Sequence, residues 1–229
     1  MPNLKKYNNM KSIKNIALLA IVLVGLSSCS LEDPIESTIT NYPQVVLNGD
    51  KLTLVESGTT FEDPGIDATI QGENVEYETA GSVDTSTPGK YVLTYSAFNE
   101  DGFAATIVRN VYVYENNGTV AGFWEGSSSK GTGFPVLIST TDDPNTFEIT
   151  DILVGHYEYG NKYGPAYAAP STITVSGNSV SSPGGTNGFG FWSVDGPSLS
   201  NGQKTLTWST TLVDQDFGLS GLKLEKKTP

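Results

Sequence analysis

Tyr91-Val92-Leu93-Thr94-Tyr95-Ser96-Ala97, then Asn99-Glu100-Asp101-Gly102, then the eleven residues Ala104 to Tyr114 form the stretch that decides the fold. In the first segment Tyr91, Leu93, Tyr95 and Ala97 alternate with Val92, Thr94 and Ser96, the two-residue period of a strand. In the last, Ile107, Arg109, Val111 and Val113 share one parity, and Val108, Asn110, Tyr112 and Tyr114 the other. The polar quartet between them is a turn, and Thr87-Pro88-Gly89 turns the chain into the first strand. Upstream, Val45-Val46-Leu47 and Lys51 to Val55 flank Asn48-Gly49-Asp50. Asn-Gly readily takes positive φ, so this spacing predicts a hairpin. Short strands between frequent turn residues predict a β-sandwich over residues 42–115.

Asn116-Asn117-Gly118 ends that region. Beyond it glycine, serine and aromatic residues become denser and charges thin out, which predicts a domain boundary near 116–119 and a second domain over 119–229. Its expected strands are Phe134 to Thr140, Thr146 to Leu153, Gly155 to Tyr159, Thr172 to Ser176, Asn178 to Ser182, Gly188 to Ser193, Lys204 to Thr210 and Leu219 to Glu225. Asp142-Asp143-Pro144-Asn145, Gly177-Asn178, Pro183-Gly184-Gly185 and Asn201-Gly202 separate them. No stretch carries a helical period of useful length. The whole chain therefore reads as all-β, with a second antiparallel sandwich or barrel after the first sandwich.

Several motifs of the first region also fall in the order of a known family. Tyr42-Pro43, Phe61-Glu62-Asp63-Pro64-Gly65, Val83-Asp84-Thr85, Thr87-Pro88-Gly89-Lys90-Tyr91, Thr94-Tyr95-Ser96-Ala97 and Arg109-Asn110-Val111-Tyr112-Val113 resemble the bacterial Ig-like domain first described in a pesticidal crystal protein. The resemblance covers about residues 42 to 115 and implies a spacer or interaction module of a secreted or surface protein. Farther along, Gly-Phe-Trp-Glu-Gly at 122–126, Phe147-Glu148-Ile149-Thr150-Asp151, Gly155-His156-Tyr157 and Tyr163-Gly164 are similar to a group of two-domain lipoproteins from Bacteroidetes-type bacteria. Many genes of that group stand beside outer-membrane glycan-uptake systems. Membership would imply an accessory to polysaccharide uptake.

The start of the chain fits that setting. Cys29 is the only cysteine, and it ends Leu26-Ser27-Ser28-Cys29 directly after an apolar run from Ile16 to Gly25. Lys5, Lys6, Lys11 and Lys14 supply a positive flank, so residues 1–29 read as a cleaved lipoprotein signal peptide with Cys29 as the lipidation site. The run is about half of the ~20 residues that a membrane-spanning helix requires. A lone cysteine has no partner for a structural disulfide. Met10-Lys11 offers a second complete start. Residues 30–41 then form a flexible tether, and Glu32-Asp33 resembles the export signal that sends such lipoproteins to the outer surface rather than to the periplasm-facing outer membrane. The expected anchorage is through lipid on Cys29, in the outer membrane and at the cell surface.

Charge excludes other partners. Without the four leader lysines, nine basic residues stand against twenty-five acids, so the mature chain carries about −16. Nucleic acid and other polyanions are repelled by such a surface.

Catalytic signals are sparse. One histidine, His156, and no Gly-x-Ser-x-Gly leave a Ser-His-Asp or Cys-His arrangement without a home, and His156 alone cannot complete a zinc site. His156 is expected on the polar face of a strand. No enzyme activity and no cofactor are expected. Asp142, Asp143, Asp214 and Asp216 are turn carboxylates that calcium can collect, although such turns ordinarily accept backbone N–H groups.

Aromatic residues carry the functional reading. A sugar ring offers flat C–H faces edged by hydroxyls, so its receptor presents Trp or Tyr planes beside polar side chains. Tyr157, Tyr159, Tyr163 and Tyr167 share one parity across a Gly-rich segment that also holds Asn161. Core packing is the competing fate of Tyr157 and Tyr159. Parity with Leu206 places Trp208 in the core, whereas Trp192, opposite in parity to Phe189 and Phe191, is expected toward solvent or a groove. Trp124 is either an interdomain plug or a ligand platform. These residues predict a glycan-binding second domain, and the alternative is an interaction protein that docks onto envelope proteins such as an uptake porin.

Overall fold

The computed structural model describes residues 39–227. Cys29, the rest of the expected signal peptide and residues 30–38 of the expected tether lie outside the described residues. The described part is nearly all β, and from Asn41 on it forms one compact unit.

Two sheets make the Ig-like half. One contains β1 (Gln44–Leu47), β3 (Ile66–Ile70) and β4 (Glu73–Asn74); the other runs in the order β2 (Leu52–Glu56), β7 (Ala104–Tyr114), β6 (Gly89–Phe98) and β5 (Tyr77–Ala80). β6 and β7 pair as a hairpin from Gly89↔Val113 to Phe98↔Ala104. Leu93, Tyr95, Ala97, Val111 and Val113 are buried between the sheets with Val55, Ile66 and Ala68. The alternation read from the sequence therefore selects the buried face.

The expected hairpin around Asn48-Gly49-Asp50 does not form. β1 pairs with β3, whereas β2 lies parallel to β7 in the opposite sheet. Arg109 explains the crossover. Its buried guanidinium donates to the carbonyls of Asp50 (2.5 Å), Asn48 (2.8 Å) and Gly65 (3.1 Å), and Nε donates to the Tyr95 hydroxyl (3.2 Å). Asp63 sits 3.4 Å from the same cation and accepts from Tyr95 at 2.6 Å. A buried cation must be surrounded by acceptors, so the turn carbonyls are drawn onto Arg109 instead of into a hairpin ladder.

The second half is a barrel. Its strands are β8 (Gly122–Ser128), β9 (Gly131–Thr140), β10 (Thr146–Ile149), β11 (Ser171–Ser176), β12 (Ser179–Ser181), β13 (Gly185–Asn187), β14 (Gly190–Ser200), β15 (Thr205–Leu212) and β16 (Phe217–Lys226). Antiparallel pairing runs β12-β11-β10-β9-β8-β16-β15-β14, and the bridge Ser179↔Ser198 joins the ends, closing eight strands with β13 as a flap on β14. An eight-stranded barrel is just wide enough for side chains to fill, and here they do. Trp124, Trp192, Trp208, Val136, Ile138, Phe147, Leu206, Leu222 and Leu224 are all buried within it.

The halves meet face to face. On β8 and β9 the residues alternate with the barrel interior, so Phe123 and Leu137, opposite each other in register, point outward. They pack on Tyr112 and Tyr114 of β7, with Leu52 and Leu54 of β2 at the border. Burying each such side chain contributes roughly 1.5–3 kcal/mol. The outer parity of β7 thus has its own purpose, to seat the barrel.

Candidate functional site

The connection from β10 to β11, residues 150–170, closes one mouth of the barrel. Ile152, Leu153 and Val154 turn inward and belong to the barrel core, while the Trp208 indole N–H donates to the Ile152 carbonyl at 2.9 Å. Val154 takes φ 52° and Gly155 φ 79°. A β-branched residue in the left-handed region is strained and persists only where its surroundings hold it. Asp151 is that hold. Its carboxylate, 2% exposed, accepts from the backbone N–H groups of Gly155 (2.7 Å), Leu153 (2.8 Å) and Ala169 (3.0 Å), tying both ends of the loop together. Burial raises its pKa to about 6, against the opposing pull of the three N–H donors. Gly126 makes room beneath, because a Cβ there would meet the Val154 carbonyl.

A π-helical turn, His156–Gly160, follows. This replaces the strand expected over 155–159. His156 therefore lies buried, not on a polar strand face, with Nδ1 3.0 Å from the Ser128 hydroxyl. Burial, aided by the Lys130 cation, lowers its pKa, which keeps the imidazole neutral. A helical turn in place of a strand puts Tyr157 and Tyr159, two residues apart, on opposite sides instead of on one face.

Tyr157, Tyr163 and Tyr167 gather at the mouth, where Tyr157 belongs to the barrel core, Tyr167 packs against that core, and Tyr163 faces out. Tyr163 lies 6.0 Å from Tyr157, nearly parallel to it, and meets Tyr167 edge-on at 5.4 Å. Phe189, which the sequence reading did not include, completes the cluster at 4.4 Å from Tyr157 and 4.7 Å from Tyr167. Tyr157 is buried, Tyr167 half-buried, and Tyr163 is 55% exposed. Asn187 fixes the arrangement, donating to the Tyr167 carbonyl and accepting from the Phe189 N–H. Asn161 ends the π-turn through its backbone N–H to the His156 carbonyl. At the same rim, Phe191, Val213 and Phe217 are exposed where β14, β15 and β16 begin or end.

Tyr159 leaves the cluster for the junction between the halves. Its hydroxyl lies 2.8 Å from that of Tyr112 and accepts from Lys90 Nζ at 2.8 Å, and Lys90 also pairs with Glu158 at 2.7 Å. Burial raises the pKa of both phenols, so they stay protonated. This tyrosine fastens domains and offers no ring to a ligand.

The tryptophans are corrected as well. Trp192 is fully buried, so it projects neither into solvent nor into a groove; Phe191 takes the outer side. Gly185, its partner in register, admits the indole into the barrel, since a Cβ there would lie 2.6 Å from Cζ2. Trp124 is neither plug nor platform. It fills the barrel and donates to the Val120 carbonyl at 2.9 Å, and its neighbour Phe123 makes the interdomain contact.

The calcium candidates are not brought together. Asp143 accepts from Asn145 N and Thr146 Oγ1 in the β9–β10 turn, and Asp214 accepts from Phe191 N in the β15–β16 turn at the other end. Asp142 and Asp216 stay with their own turns, and Asp216 adopts φ 49°. Among the described residues no three His, Cys, Asp or Glu side chains converge on a metal position.

Comparison with known proteins gives two matching families. A model described as bacterial surface protein, Ig-like domain, matches residues 45–113, and one described as BT2262-like, C-terminal domain, matches residues 80–220. The crystal structure of the lipoprotein BT2262 from Bacteroides thetaiotaomicron is 28% identical in sequence with a TM-score of 0.65, over 81% of this chain and 100% of that one. No curated protein matches.

Proposed function

The chain belongs to the BT2262-like family, and on that footing we propose that it is a surface lipoprotein that binds a glycan without transforming it, as an accessory to polysaccharide uptake. The observation that carries this reading is Tyr163, an exposed ring whose orientation is set by Tyr157, Tyr167 and Phe189 on a strapped loop. A ring held in place stacks on a sugar face with little further loss of entropy. Replacing Tyr163 by Ala is expected to weaken retention on polysaccharide affinity gels several-fold, corresponding to about 1 kcal/mol, with little change in Tm. A large loss of Tm, or normal retention at normal Tm, would remove Tyr163 from this role.

On this reading lipid on Cys29 anchors the chain in the outer membrane, and Glu32-Asp33, similar to a surface-export signal, sends it to the cell surface. Cys29→Ser is expected to release the protein from membranes and to abolish fatty-acid labelling, because two acyl signals on one residue suffice for stable attachment. Continued membrane association with label would defeat the assignment. A second reading draws on Phe191, Val213 and Phe217, whose apolar exposure at the mouth suits a protein partner such as an uptake porin. Co-purification of a porin by a chain that no polysaccharide gel retains would favour it.

A further inference from the structure

Beside the junction of the halves, the outer surface of the barrel carries a groove of about 480 Å³. Register sets Ser139 of β9, Glu148 of β10 and Thr172 of β11 in one row across its floor. All three point outward, because Ile138, Ile149 and Ile173 fill the interior on the alternate positions. One wall is Pro88 and Gly89 of the Ig-like half, and another is Pro183 and Gly184 between β12 and β13. Among the described residues the Glu148 carboxylate has no hydrogen-bond or ion-pair partner, and Lys90, which follows Gly89, is committed to Glu158. Gly184 lies against the exposed ring of Phe191, so the groove opens toward the aromatic rim.

We infer that this groove is a second carbohydrate subsite for a neutral saccharide segment, and that the Ig-like half supplies one of its walls. The inference rests on the glycan reading above. Hydroxyls of Ser139 and Thr172 both donate and accept, and a carboxylate accepts from the neighbouring hydroxyls of a sugar, so the row matches a polyol. Pyrrolidine rings of Pro88 and Pro183 present C–H surface to the ring faces. No basic side chain lines the groove, so a phosphate, sulfate or uronate would meet Glu148 uncompensated. Peptide binding by strand addition requires a free sheet edge, and β10 is flanked by β9 and β11. A spacer would contribute no contact; here Pro88 and Gly89 line the site.

The test runs the full mature chain on gels loaded with starch, a β-glucan, a galactomannan or an arabinoxylan, with Tm recorded for each variant. Glu148→Gln keeps shape and removes charge, Pro88→Ala removes the ring from the Ig-side wall, and Thr172→Arg pairs with Glu148 and fills the floor. On the polysaccharide that the wild type binds, Glu148→Gln and Pro88→Ala are expected to weaken retention about threefold or more, and Thr172→Arg about tenfold or more, at unchanged Tm. Should Thr172→Arg fail to fold, the two conservative variants decide. If Tyr163→Ala loses retention while every groove variant keeps it, the groove inference falls and the glycan reading stands. If no gel retains the wild type, the glycan reading falls and takes the groove with it. If an unmodified peptide library binds and Glu148→Gln abolishes that binding, the groove belongs to a protein partner and the inference is overturned.

Discussion

Replacing Asp151 by Ala is expected to destabilise the barrel by about 3 kcal/mol or more and to abolish glycan retention together with it. Three buried backbone N–H groups, on Leu153, Gly155 and Ala169, would lose their acceptor at once. Each unsatisfied buried donor costs about 1–3 kcal/mol. The strained Val154-Gly155 pair would lose the contact that holds it, and every tyrosine of the rim lies between the two ends that Asp151 joins. Asp151→Asn separates charge from geometry. Its amide oxygen can still accept from Leu153 and Ala169, but its NH₂ group would face the Gly155 N–H, so a loss of about 1–3 kcal/mol is expected.

The same residue makes a pH prediction of definite sign. Its folded pKa, about 6, stands above the unfolded carboxylate value of 3.8, so the native state binds more protons between those values. The contribution of Asp151 to stability is therefore greatest below about pH 4 and declines as pH rises to about 6, by roughly 3 kcal/mol over the window. Other carboxylates titrate there too. Urea melts of wild type and Asp151→Asn at pH 4.5 and pH 7 isolate this one. The gap between them should be wider at pH 4.5; a gap that is constant, or wider at pH 7, would show that the charge is not penalised by burial.

Asp151 also shows where the sequence was legible and where it was not. Strands with unbroken alternation could be read closely: Ala104 to Tyr114 was expected and found end for end, and its inner parity is the Ig-like core. Period says which residues share a face. It does not say what covers the other face, so Tyr112 and Tyr114 gave no sign of the barrel they seat. Asp151 stands in the apolar run Ile149 to Val154, and an acid in such a run must find backbone donors if the run is buried; that signal was present and unused. The π-turn left no comparable mark. Coiling at 157–159 sends Tyr159 to the side opposite Tyr157, as any helical turn does to residues two apart, whereas a strand would have kept them together. Arg109 overrode the Asn-Gly turn by a contact 59 residues away, which local propensity does not register.

Trp192→Ala is expected to cost about 3–5 kcal/mol and to lower Tm by roughly 6–20 °C. The indole is fully buried in the barrel, opposite Leu212 in register and beneath Gly185. An alanine there would leave a cavity that an eight-stranded closed sheet has little freedom to collapse. Parity along β14 misled because it was counted from Phe189 and Phe191, and Phe191, the neighbour of Trp192, is the residue that faces out. A bulge farther along hides the true pattern too. The register slips by one residue between Asp195 and Ser198, so Trp192 and Leu199 both face inward although their numbers differ in parity. Trp192→Phe is the informative companion. The indole N–H has no partner among the described residues, so phenylalanine forfeits volume but no hydrogen bond and should cost much less than alanine. Both variants, once folded, should keep wild-type retention on the polysaccharide gel, since the ring has no route to solvent. A Trp192→Ala chain that melts like the wild type yet loses the glycan would return this tryptophan to the binding surface and displace Tyr163 as its centre.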